Sequence, residues 1–94
     1  MSQSKKLFRI YIEDGVLQDK ALYIKKVMDS CQTVDQLLVA ANWGKETFKN
    51  WVLTLTSCLK RKERNTVLFL GADLGIEIET AFQEKYLSLL YENR

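Results

Sequence analysis

The sequence predicts a mainly α-helical protein with a small β component. Apolar residues recur every three or four positions over most of the chain, two short stretches alternate in hydrophobicity instead, and proline is absent. A period near 3.6 indicates an amphipathic helix, whereas a period of two indicates a strand. Without proline, helices must begin and end at capping residues and glycines. The expected order is an N-terminal strand, three helices, a β-hairpin and a C-terminal helix.

Size and composition are those of an ordinary folded protein. The 94 residues suffice for one small core, and 47% of them are hydrophobic and 28% charged. We therefore expect a single domain over residues 1–94 rather than a disordered chain. The apolar runs are far shorter than the roughly 20 residues that cross a bilayer, and the N-terminus does not resemble a signal peptide. We expect a cytoplasmic protein that does not partner with a membrane.

The residue types do not favour catalysis or metal binding. Histidine, the usual general base near neutral pH, is absent. The two cysteines, Cys31 and Cys58, fall at apolar helical positions and are too few for an ordinary four-ligand zinc site. We expect no enzymatic activity, no catalytic or metal-ligating residues and no cofactor.

The N-terminal region predicts a strand followed by a helix. Lys6 to Asp14 reads KLFRIYIED, in which β-branched and aromatic residues alternate up to the turn pair Asp14-Gly15. From Leu17 the apolar residues adopt helical spacing. They are Leu17, Ala21, Ile24, Met28 and Cys31. The alternative is a second strand of a hairpin through residues 16–24, because Val16, Leu22 and Tyr23 also suit a strand.

Two further helices are expected in the middle of the chain. Thr33 offers an N-cap oxygen, and Gln36 three residues later completes a capping box, so a helix should begin at Val34. It should end at Asn42, which tolerates a tight left-handed turn, with Gly44 adding freedom. The next helix should run from Lys45 to about residue 62.

The last third of the chain predicts a hairpin and a helix. Two apolar, β-rich runs at residues 66–70 and 75–78 flank Gly71-Ala72-Asp73-Leu74, as in a short hairpin over residues 66–79. Helical spacing returns over residues 80–92. Its apolar stripe consists of Phe82, Tyr86, Leu89 and Leu90.

Residues 33–79 resemble a winged helix-turn-helix DNA-binding domain. The paired helices would be its helix-turn-helix core (33–62), and the hairpin would be its wing (66–79). The apolar residues that would lie on the inner faces or at the turn are Leu37, Ala41, Trp43, Phe48 and Trp51. Leu38 departs from the pattern, since family members usually have a small residue there. The alternative is a helical hairpin used for packing or for binding a protein.

Charge is concentrated on this segment. Residues 43–65 carry six basic and two acidic side chains, compared with six and five in residues 1–42 and two and five in residues 66–94. Basic side chains strengthen DNA binding because each neutralised phosphate releases counterions. The cluster therefore favours the DNA-binding interpretation, although a solvated helix terminus would also accommodate it.

The resemblance implies a role for each polar residue. Candidates for contacts with base edges are Lys45, Glu46, Lys49 and Asn50. Candidates for contacts with phosphates are Thr47, Lys60, Arg61, Lys62 and Arg64.

One small module with few basic residues would bind DNA weakly, so a homodimer is expected. Its candidate contacts are Phe82, Tyr86, Leu89 and Leu90, and the edge of the N-terminal strand is the second choice. The expected function is a small transcription regulator that reads double-stranded DNA. The alternative is a protein-binding inhibitor or adaptor with the same fold.

Overall fold

A computed structural model describes residue 6 and residues 8–92 of the chain. A π-helix (Arg9–Glu13) precedes three α-helices: α1 (Val16–Asp29), α2 (Val34–Ser57) and α3 (Arg61–Glu92). Strands are absent from the described residues. The prediction of helices is confirmed, whereas the β component and the winged helix-turn-helix architecture are wrong.

The N-terminal strand is replaced by a helical segment. Leu7 of the predicted strand lies outside the described residues, but the residues from Phe8 onward are helical up to Glu13. Phe8, Tyr11 and Ile12 pack against the core. Their spacing of three and then one residue fits one face of a helix, whereas a strand would place Tyr11 and Ile12 on opposite faces. The packing surface of α1 therefore selects a helix for this segment.

Helix α1 confirms the predicted helical stripe from Leu17 to Met28, whereas Cys31 lies in the connection after the helix. The alternative of a second strand over residues 16–24 is wrong. Leu17, Ala21 and Ile24 are fully buried, and Met28 is 1% exposed. The helix is preceded by Gly15, whose φ of 79° lies in the left-handed region. Glycine adopts this conformation without the Cβ clash that other residues incur. Gly15 thereby turns the chain from the π-helix into α1.

Helix α2 begins at the predicted cap but does not break where a turn was predicted. Thr33 Oγ1 accepts a hydrogen bond from the backbone N–H of Gln36 at 3.1 Å, and Gln36 Oε1 accepts one from the N–H of Gln32 at 2.9 Å. The helix then continues through Asn42 and Gly44. The helix-turn-helix prediction is therefore wrong.

Gly44 lies at a close contact between two helices, and this contact takes the place of the predicted turn. It is buried, and a methyl group added at its Cα would overlap Ile24 Cγ2 of α1. Glycine thus allows α1 and α2 to approach closely, and it does not form a turn. Two residues expected at the helix pair interface lie elsewhere: Trp43 is 42% exposed and Leu38 is 47% exposed.

Helix α3 replaces both the predicted wing and the separate C-terminal helix. Its buried residues recur at helical intervals along its whole length. They are Val67, Gly71, Leu74, Ile78 and Leu89. A methyl group at Gly71 would lie 3.1 Å from Val52 Cγ2, so this glycine also permits close packing, here between α2 and α3. Gly71 and Gly75, which were expected at the turn of a hairpin, therefore lie within one continuous helix.

The three α-helices form an up-down-up bundle. The connections span only residues 30–33 and 58–60, and α2 runs antiparallel to both neighbours. Lys25 Nζ of α1 lies 3.0 Å from Glu77 Oε1 of α3, and Lys45 of α2 pairs with Glu79 of α3. The bundle is long and narrow, with extents of 57 × 18 × 16 Å. One continuous core runs between the helices.

Candidate interaction surfaces

The residues predicted to contact base edges lie in the middle of α2. All four are exposed. Lys45 forms an ion pair with Glu79, and its Nζ lies 4.7 Å from the centroid of the Phe82 ring. Both partners belong to α3, so this lysine is held against the bundle. Lys49, Glu46 and Asn50 do not share this contact, and the exposed N-terminus of a recognition helix does not occur here.

The predicted phosphate contacts are divided between two places. Thr47 is half-buried within α2. The other four residues lie at one end of the bundle, where α2 connects to α3, and we call them the basic end. They are Lys60, Arg61, Lys62 and Arg64. Arg64 Nη2 donates to the carbonyl of Leu59 at 3.2 Å, so it holds the connection between α2 and α3 against the first turn of α3.

The electrostatic setting of the basic end is unusual. Arg61 and Lys62 occupy the first turn of α3, where the helix dipole disfavours positive charge. Both are exposed. The C-terminus of α2, which favours positive charge, lies only four residues before Arg61, so the two helix dipoles act on these side chains in opposite directions.

Three of the four predicted dimer contacts belong to the bundle itself. Leu89 is 3% exposed and lies in the core. Phe82 and Tyr86 pack partly buried against that core, with ring centroids 5.9 Å apart. Leu90 remains at the surface. Most of this stripe covers the domain's own interior.

A second apolar surface runs along the face of α3 that points away from the core, and we call it the outer stripe. It consists of Phe69, Ile76, Leu87 and Leu90, which are 76%, 64%, 51% and 43% exposed. Val67 and Ile76 lie on opposite sides of the helix at about 3.6 residues per turn. Helix α3 is therefore apolar on two opposite faces, and only one of them is buried.

The outer stripe was missed because part of it was assigned to the hairpin. A helical signal was present: Phe69, Ile76 and Leu90 are members of one seven-residue series, in which Lys62 and Gln83 are the polar members. Such spacing is typical of a helix that packs along another helix. From Phe69 to Leu90 the stripe spans about 31 Å at about 1.5 Å per residue.

Two grooves border α2. The aromatic groove, between α1 and α2, has a volume of about 600 Å³ and is lined by Tyr23, Val39 and Trp43. The Tyr23 and Trp43 rings meet edge to face with centroids 6.2 Å apart. The second groove, between α2 and α3, has a volume of about 330 Å³; Leu53 and Leu68 line it, and the space above Gly75 is open.

The described residues offer no set of groups for metal chemistry. His, Cys, Asp and Glu side chains do not gather in groups of three within this part of the chain. Cys31 is half-buried and Cys58 is exposed, and both are free thiols. None of the helices over the described ranges has the length and apolarity needed to cross a membrane.

Comparison with known proteins returned no match to a protein-family model, to a curated protein or to a solved structure. Function must therefore be inferred from the surfaces described above.

Proposed function

We propose that this protein acts by binding another protein chain through the outer stripe, as an adaptor or inhibitor. The observation that carries the proposal is the exposure of four large apolar side chains along one face of α3. The opposite face of the same helix already supplies core residues. The stripe is thus apolar surface that the fold does not use.

The form of the stripe favours a protein partner. Single apolar residues are common on protein surfaces, but an aligned series is typical of an interaction site. The members of the stripe follow one another at intervals of seven, eleven and three residues, which keeps them on one helix face, and a helix with such an apolar face packs against a second helix or into a groove. A second copy of the chain belongs to this class of partner.

Capture experiments test this proposal. Purified wild-type protein and the double variant Phe69→Ser/Ile76→Ser would each be immobilised and exposed to a lysate of the source cells. Val39→Ser is the matched control, because it removes an exposed apolar side chain from α2 instead. We expect proteins that are retained by the wild type and the control and lost by the double variant. Retention that is the same for all three proteins would contradict the proposal.

A second candidate function is binding to double-stranded DNA at the basic end. The observation that favours it is the exposure of Lys60, Arg61 and Lys62, which follow one another where α2 connects to α3. These side chains would contact phosphates, which gives affinity without sequence information. Reading of bases by a helix-turn-helix is not part of this candidate, because α2 is one continuous helix.

Fluorescence polarisation of a labelled duplex at two salt concentrations tests this candidate. We expect weak binding that strengthens at low salt and disappears when Lys60, Arg61 and Lys62 are all replaced by alanine. Lys26→Ala with Lys49→Ala is the control, since it removes exposed positive charge from other parts of the bundle. Equal loss in both variants would indicate general charge attraction and would reject the basic end as a site.

A further inference from the structure

We infer that the Phe69 and Ile76 part of the outer stripe is covered by a second copy of this chain, packed antiparallel about a twofold axis. The inference rests on the proposed function, because it names the partner of the same surface. In a twofold dimer the same patch must be complementary to itself. The charges beside the stripe meet this requirement in one orientation only.

Four charged residues line one side of the stripe, and one of them, Glu77, forms an ion pair with α1. Lys62, Asp73 and Glu84 are separated by eleven residues each, which is close to three helical turns, so they share a face of α3. All three are exposed. Arg61 lies on the other side of the stripe, at the level of Lys62. One flank is therefore basic at its start and acidic at its middle and end, and both flanks begin with a positive charge.

A parallel dimer would be unfavourable for these charges. In two parallel helices that pack face to face, opposite flanks meet at the same level, so Lys62 would lie beside Arg61 of the second copy. In an antiparallel pair, each flank of one helix lies against the same flank of the second copy, which runs in the opposite direction. Lys62 then faces Glu84 of the second copy, and the symmetry repeats the contact.

This pairing also fixes the register. If residue 62 lies opposite residue 84, the twofold axis passes at residue 73. Phe69 then lies within one residue of Ile76 of the second copy, and these are the two most exposed members of the stripe. The apolar contact is formed twice, on either side of the axis. Asp73 meets its own symmetry copy, and Glu77 lies one turn away on the same flank, so the negative charges near the axis oppose the arrangement.

Sedimentation equilibrium of the full chain at low salt, from micromolar to millimolar concentration, tests the inference. We expect a monomer–dimer equilibrium that Phe69→Ser weakens at least about 30-fold, the effect of losing an interface hot spot. Lys62→Glu and Glu84→Lys should each weaken it about tenfold, and the double variant Lys62→Glu/Glu84→Lys should restore it. A double variant as weak as the single variants, or a wild type that stays monomeric, would overturn the inference.

Two controls locate the interface. Val39→Ser and Lys26→Glu alter exposed residues away from the stripe and should leave the dissociation constant unchanged. A dimer that Val39→Ser abolishes would place the contact in the aromatic groove and overturn the inference. Circular dichroism of each variant would verify that the bundle is intact, as expected because every substituted side chain is exposed.

Asp73→Asn tests the register directly. Removing the two facing carboxylates should strengthen the dimer a few-fold at low salt and less at high salt. An unchanged or weaker dimer would overturn the placement of the axis. In another outcome, the wild type is a monomer while its capture of other proteins still depends on Phe69 and Ile76. This pair of results would reject the second copy as the partner and leave the proposed function standing. If capture is also independent of these residues, both fail.

Discussion

Helices α1 and α3 pack on the same core but use their apolar residues differently. In α1 the stripe Leu17, Ala21, Ile24 and Met28 is buried almost completely. In α3 one stripe is buried and a second, on the opposite face, is exposed. Helix α1 exposes two large apolar residues, Leu22 and Tyr23, that are adjacent in sequence, whereas α3 exposes an aligned series along one face. A surface of this kind is where an interaction is expected.

The largest expected difference in the free energy of unfolding is between replacing a buried isoleucine of α1 and replacing an exposed isoleucine of α3. Ile24→Ala should lower the free energy of unfolding by roughly 2–5 kcal/mol, because it removes packed methyl groups and leaves a cavity. Ile76→Ala should change it by less than about 0.5 kcal/mol in the dilute monomer. Urea unfolding followed by circular dichroism measures both values. Similar losses for the two variants would show that the outer face also stabilises the monomer.

Alanine substitutions at two glycines in helix interiors should change the free energy of unfolding in opposite directions. Gly44→Ala should lower the free energy of unfolding by about 1–3 kcal/mol, because the new methyl group overlaps Ile24 of α1. Gly75→Ala should raise it by up to about 1 kcal/mol, since nothing lies within 4 Å of the new Cβ and alanine favours a helix. Thermal and urea unfolding of both variants measure the difference. Stabilisation by Gly44→Ala would contradict the close approach of α1 and α2.

The N-cap of α2, the helix on which α1 and α3 both pack, has an intermediate effect. Thr33→Ala removes the oxygen that accepts from Gln36, and should lower the free energy of unfolding by about 1 kcal/mol. Thr54→Ala is the matched control at an exposed position inside the same helix. It should be neutral or slightly stabilising, because alanine has the higher helix propensity. Equal effects of the two substitutions would argue against a capping role.

The smallest effect concerns the ion pair that links α1 to α3. Lys25 and Glu77 are partly exposed, at 29% and 53% of their side chains, so their coupling should be about 0.2–1 kcal/mol. A double-mutant cycle with Lys25→Met and Glu77→Gln measures it, and the coupling should fall as salt is added. A coupling that salt does not change would indicate a contact other than charge.

The parts of the fold that were predicted are those in which local chemistry and packing agree. Helix α1 has one apolar stripe, and the start of α2 has a capping residue at Thr33, so both could be read from short stretches. Gly44 could not be interpreted in the same way. Its role depends on Ile24 of another helix, and a glycine that comes two residues after Asn42 looks equally like a turn.

Helix α3 was divided into a hairpin and a helix for a related reason. Apolar residues on two opposite faces weaken the 3.6-residue period, since every position of the run from Val67 to Leu70 is apolar. The β-branched residues and the two glycines then favoured strands and a turn. The same division hid the outer stripe, because Phe69 and Ile76 were assigned to different strands.

The short connections at residues 30–33 and 58–60 have a kinetic consequence. Neighbouring helices in such a topology make mainly local contacts, and bundles of this kind fold in microseconds to milliseconds. Synthesis is far slower, at about 5–20 residues per second. The core includes Leu89, near the end of α3, so it closes only when that helix has almost been made. The rate at which the chain is translated, rather than the search for its structure, therefore determines when the bundle forms.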